Sequence, residues 1–145
     1  MTAKIRLGFA TNSSSTHSIL VATGMKDKDA DKSYYGWEDF TLASPKAKRQ
    51  YLAVQVMESL RDIGIHDEYA RLLADHLLGT KITHSGDVYI DHQSVFPLPL
   101  SCAPWEKQRI NEQFLKEFQA WLEMDNIVIV GGNDNEARYD ERMGV

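Results

Sequence analysis

The sequence predicts an α+β fold, a single domain over residues 1–145 with about four strands in a mixed sheet packed against three helices. Three observations carry that expectation. Apolar residues alternate with charged or small ones at residues 4–9 and 87–91, the period-two pattern of a half-buried strand. Residues 19–22 and 127–130 are continuously apolar, as in strands covered on both faces. Between these segments lie three stretches whose apolar residues recur at helical spacing.

The first strand, residues 4–9, sends Ile5, Leu7 and Phe9 to one face. A polar connection leads to the second strand, residues 19–22, and the two form a hairpin. Residues 24–36 read as a charged surface loop, after which Trp37, Phe40 and Leu42 return the chain to the core. Ser44-Pro45 opens the first helix, serine as cap and proline in the first turn. Leu52, Val56, Leu60 and Ile63 mark its inward stripe, and Gly64 stops it. A second helix over residues 67–78 points Tyr69, Leu72, Leu73 and Leu77 inward and ends at Gly79.

Residues 87–91 form the third strand, and residues 95–104, with three of the four prolines, form an extended connection. The third helix, residues 105–123, carries Ile110, Phe114, Phe118 and Trp121 as a stripe. The fourth strand, residues 127–130, is expected to end at Gly131-Gly132, leaving residues 133–145 as a tail or short helix. The order is β-β-α-α-β-α-β, and a helix between the last two strands allows a right-handed parallel crossover.

Composition narrows the function classes. Apolar content of 43% and charged content of 26% suit a globular domain, and no apolar run is long enough to span a membrane. The N-terminus lacks the apolar region and cleavage site of a secretory signal, and a single cysteine excludes an intrachain disulfide. A cytoplasmic location is expected. Sixteen basic against 21 acidic residues, net charge -5, argue against general nucleic-acid binding. Lys46, Lys48 and Arg49 form the densest basic cluster; the expectation is a solvated helix face, with a phosphate contact as the alternative.

Polar residues cluster directly after three of the four predicted strands. The first cluster is the run from Asn12 through Ser13, Ser14, Ser15 and Thr16 to His17 and Ser18. The second is Asp91-His92-Gln93-Ser94, and the third is Gly131-Gly132-Asn133-Asp134-Asn135-Glu136. Ligands collect beyond the carboxyl ends of parallel strands, so two or three of these clusters on one edge would build one pocket. Hydroxyls and amides of Asn12, Ser13, Ser14 and Ser15 suit an anion, with His17 as the ionisable group of the loop. Gly132 lets backbone approach a ligand that Asn133 and Asp134 recognise. His92, with Asp91 beside it, is the candidate general acid–base group.

Other chemistries fit less well. The first cluster lacks the glycines and lysine of a Walker loop and the Gly-x-Ser-x-Gly of a nucleophile elbow. A metal would have to join His17 or His92 to Asp91 and Asp134 without any fixed-spacing motif, so none is expected.

The stretch Lys4-Ile5-Arg6-Leu7-Gly8-Phe9-Ala10-Thr11-Asn12-Ser13-Ser14-Ser15 resembles a motif at the N-termini of small bacterial and phage proteins with no assigned activity. That pattern is a basic start, Gly-Phe, a small residue, Thr or Ser, then Asn and serines. Here Thr16 and His17 break the run where others continue with serine. The resemblance implies a phage or mobile-element origin and supplies no mechanism. Two functions follow from the whole sequence. One is a small domain binding a phosphate-bearing or nucleotide-like ligand through these loops, with acid–base catalysis by His92 as its extension. The other is a non-catalytic phage or bacterial accessory protein acting on a protein partner or on further copies of itself.

Overall fold

The computed structural model describes residues 4–7, 15–83, 88–91, 94–95, 100–101, 109–110 and 112–133. The elements in them are β1 (Lys4–Leu7), β2 (Ser15–Val21), β3 (Tyr34–Tyr35), β4 (Phe40–Leu42), α1 (Pro45–Asp62) and α2 (Asp67–Leu78). They continue with β5 (Tyr89–Ile90), β6 (Leu100–Ser101), β7 (Arg109–Ile110), α3 (Glu112–Leu122) and β8 (Ile127–Asn133). The fold is α+β, with three helices among the described residues.

The main sheet runs β1-β2-β8-β4, and every neighbouring pair is antiparallel. This corrects the expected mixed sheet and its parallel crossover. Of the predicted third strand, the described residues 88–91 are not part of it. Tyr89–Ile90 instead pairs in parallel with β3 in a separate two-stranded ladder. β3 lies in the stretch read as a charged loop; the polar residues before it hide a pair of tyrosines, of which Tyr35 is buried.

β8 is the hub because its Ile-Val-Ile-Val run satisfies two apolar faces at once. Ile127 and Ile129 face the helices, in one core with Ile19, Phe40 and Leu42. Val128 and Val130 face the other way, clustered with Leu20 and flanked by Ala22, Met25 and Ala43. β8 does not stop at the glycines but continues to Asn133. Gly131 pairs with Phe40, and a Cβ there would overlap the Phe40 ring. The glycine is therefore a packing requirement of the strand.

α1 forms where the sequence predicts it. Ser44 Oγ accepts a hydrogen bond from Ala47 N at 3.2 Å, Pro45 sits in the first turn, and Gly64 follows the last turn at φ +94°. It is buried on nearly every side, including the polar residues Lys48, Gln55 and Ser59. Ile63, expected inside, is half exposed.

α2 spans the predicted residues and ends at Gly79 in the left-handed region, φ +60°. Its buried face is Ala70, Ala74, Leu77 and Leu78, and Tyr69 and Leu72 point to solvent instead of inward. Small alanines let α2 approach α1 closely, so the i, i+4, i+7, i+8 stripe wins over the bulkier one. α3 is Glu112–Leu122, and Ile110, expected on its stripe, belongs to β7; residues 105–108 of the expected helix lie outside the described residues. It buries Leu115 and Leu122, leaves Phe118 and Trp121 partly covered, and exposes Phe114.

Candidate functional site

Ser15, His17, Asp91, Gly132 and Asn133 are among the described residues; Asn12, Ser13, Ser14, His92 and Asp134 lie outside them. The β2–β8 register pairs Ser15 with Asn133, Thr16 with Gly132 and His17 with Gly131. The start of β2 and the end of β8 therefore share one edge of the sheet. β4 begins at that edge too, since Phe40 pairs with Gly131. Asp91 belongs to the smaller ladder, where its backbone N donates to the Tyr35 carbonyl at 2.9 Å. Its carboxylate nonetheless acts electrostatically on His17.

His17 is not a loop residue. β2 begins at Ser15, so His17 sits inside the strand and is completely buried. Hydrogen bonding to both β1 and β8 carries the polar start of β2 into the sheet. Its ring meets Phe40 and Tyr51 edge-on, with centroids 5.0 and 5.7 Å away. Nε2 is 3.2 Å from the Gly36 carbonyl and Nδ1 is 2.8 Å from the Tyr51 hydroxyl. Gln55 Nε2 then donates to Tyr51 Oη at 2.8 Å and to the Ser94 carbonyl at 2.9 Å.

Donor chemistry fixes the direction of this chain. A carbonyl only accepts, so Nε2 carries the hydrogen and Nδ1 accepts from Tyr51. Burial pushes the imidazole pKa from 6.5 down to about 4, against opposing pulls from the Gly36 carbonyl and Asp91, with Lys32 adding to the fall. At neutral pH His17 is thus an uncharged core residue with both nitrogens engaged. Sequence reasoning missed Tyr51 and Gln55, although two polar groups four apart inside an apolar helix were the available signal.

The predicted basic cluster is also corrected. Lys48 is buried, and its Nζ donates to the carbonyls of Met124 at 2.7 Å and Ile127 at 2.8 Å. Burial lowers its pKa, while Asp125, Glu123 and Asp27 oppose the fall. Arg49 pairs with Glu123. Only Lys46 keeps the exposed character expected of all three. In front of α1, Asp27 accepts from Ala43 N at 2.6 Å, Ser44 N at 2.8 Å and Ser44 Oγ at 2.6 Å. The helix N-terminus is therefore occupied by the chain's own carboxylate.

A cleft of about 490 Å³ opens beside the Gly36 turn, lined by Asp29, Asp31, Lys32, Ser33, Tyr34 and Glu38. Lys32 Nζ lies 3.4 Å from Glu38 Oε2 and 5.8 Å from the Phe40 ring centroid. The Tyr34 ring covers Gly36 and packs on Tyr89 with centroids 4.5 Å apart. Burial raises the Tyr34 phenol pKa, and negative Asp91 and Glu38 add to it. Tyr89, and Trp37 directly after Gly36 in the chain, are each 44% exposed. Among the described residues no group of three histidine, cysteine or carboxylate side chains could hold a metal, and no helix is long and apolar enough to cross a membrane. The chain matches no protein family, no curated protein and no solved structure.

Proposed function

We propose that this chain is a small binding domain acting at the sheet edge beside Gly36, and that its partner is a protein presenting a basic side chain. The observation that carries the reading is exposed Tyr89, whose ring packs on the cleft-lining Tyr34, together with exposed Trp37, which directly precedes the cleft-lining Glu38 in the chain. Rigid aromatic side chains anchor interfaces at low entropic cost. An arginine or lysine entering there would meet ring faces together with Asp29, Asp31 and Glu38. His17 contributes no acid–base chemistry at neutral pH because both its nitrogens are engaged in the core.

The phosphate-bearing ligand is retained as a second reading because Ser15 and Asn133 are paired at one edge. Such a ligand would rely on Asn12, Ser13 and Ser14, since carboxylates in the cleft repel a phosphate. A calorimetric titration separates the two. An arginine-containing peptide should bind the parent chain, bind at least tenfold more weakly to Trp37→Ala and Tyr89→Ala, and be indifferent to Asn12→Ala. Binding of a nucleoside triphosphate that is abolished by Asn12→Ala and untouched by Trp37→Ala would replace the first reading with the second.

A further inference from the structure

We propose that the hydrogen-bond chain from Gln55 through Tyr51 to His17 is an acid-sensitive latch, whose opening on protonation of His17 frees the Gly36 turn from β2. The latch joins four pieces of chain that are far apart in sequence. His17 comes from β2, Gly36 from the turn before β4, Tyr51 and Gln55 from α1, and Ser94 from the segment after β5. Among the described residues, no other hydrogen bond ties the Gly36 carbonyl to the interior as His17 Nε2 does.

The latch works in one direction only. Neutral His17 accepts the Tyr51 hydroxyl hydrogen at Nδ1 and donates to Gly36 from Nε2. A second proton on the ring turns Nδ1 into a donor facing the Tyr51 hydroxyl hydrogen. The hydroxyl must rotate, and the His17–Tyr51 bond is surrendered or reversed. The imidazolium then sits fully buried among the rings of Phe40 and Tyr51, where desolvation disfavours it. Solvation of the ring requires that the Gly36 turn move.

The titratable and charged groups acting on His17 are Tyr51 from α1, Lys32 from the segment before β3 and Asp91 after β5, with Tyr35 from β3 packed on the far side of Tyr51 and Phe40. Asp91 attracts the imidazolium and Lys32 repels it, and burial outweighs both. With a closed-state value of about 4 and an open-state value of 6.5, local opening is favoured about 20-fold more at pH 5 than at pH 7.

Amide hydrogen exchange at pH 7 and pH 5, corrected for intrinsic rates, tests this. The amides of Tyr89 and Asp91, which donate to the Ser33 and Tyr35 carbonyls just before the Gly36 turn, should lose about 20-fold in protection, while Ile19 and Ile129 in the sheet keep theirs. In His17→Gln, whose amide can both donate and accept but does not titrate, the pH difference should vanish. Equal loss at Ile19 and Ile129 would overturn the latch, since that is general acid unfolding. The same acid loss in His17→Gln would overturn it as well. Nitrogen-15 spectra of the unaltered chain give a check independent of any variant: the Nε2–H tautomer at pH 7 supports the latch, and the Nδ1–H tautomer refutes it.

Discussion

His17 and Lys48 are both completely buried polar side chains, one on the strand next to the hub and the other on the central helix. Yet the core treats them in opposite ways. His17 lies among aromatic rings and is held neutral, its hydrogen bonds running to a hydroxyl and one carbonyl. Lys48 sends its ammonium to two backbone carbonyls at the α3–β8 turn, with Asp125, Glu123 and Asp27 acting on it. Burial lowers both groups, the imidazole from 6.5 to about 4 and the Lys48 ammonium from a much higher starting value of 10.5, and three carboxylates oppose the fall at Lys48 where one carboxylate and one carbonyl oppose it at His17.

Removing the cation should have the largest effect. Lys48→Ala leaves the Met124 and Ile127 carbonyls without their donor and opens a cavity, and denaturant unfolding should show a loss of about 4 kcal/mol. Lys48→Met should regain the packing part only, which separates the volume of the side chain from its charge.

The neutral side of the comparison is sharpened by acid. The folded pKa of His17, about 4, lies below its unfolded 6.5, so the unfolded chain takes up the proton more readily. Its contribution is complete above about pH 6.5 and is lost as pH falls toward 4, roughly 3 kcal/mol in all. Unfolding curves across that window should flatten in His17→Gln. Asp27 has its pKa lowered, so its contribution is present above the ordinary 3.8 and disappears only as pH falls further, through the folded value. The acid losses of the two groups therefore occupy separate windows.

Smaller perturbations probe the bonds themselves. Tyr51→Phe leaves His17 Nδ1 without the donor that now fills it and should cost about 1–2 kcal/mol in unfolding free energy. Ser44→Ala removes the cap on Ala47 N and the hydroxyl bond to Asp27, for about 1 kcal/mol, with the helix otherwise intact. A Ser44→Ala cost above that of Tyr51→Phe would reverse the ranking of the two networks.

Much of the helical structure is legible in the sequence. Ser44, Pro45 and Gly64 bound α1 by local chemistry, and Gly79 ends α2 where the apolar pattern stops. Sheet membership was not legible. Tyr34, Tyr35 and Phe40–Leu42 form strands of two or three residues, too short for an alternating pattern, and β8 continues through glycines that normally interrupt a strand. At the candidate site, the polar run ending in His17 and the residue Asp91 were visible as chemistry. Tyr51 and Gln55, which engage His17, were hidden inside what reads as an ordinary helix.

The sequence by itself determined the local units: capped helices, an apolar central strand, a polar run between β1 and β2, and an acidic balance of charge. These depend on neighbours a few residues apart. Only the tertiary structure decided which polar groups meet, because pairing β2 with β8 and packing α1 across them brings together residues 34 to 79 positions apart in the chain. That placement removed His17 from solvent and withdrew Lys48 from the surface. It also left Tyr89 exposed while packed on Tyr34, which lines the cleft with Asp29, Asp31 and Glu38.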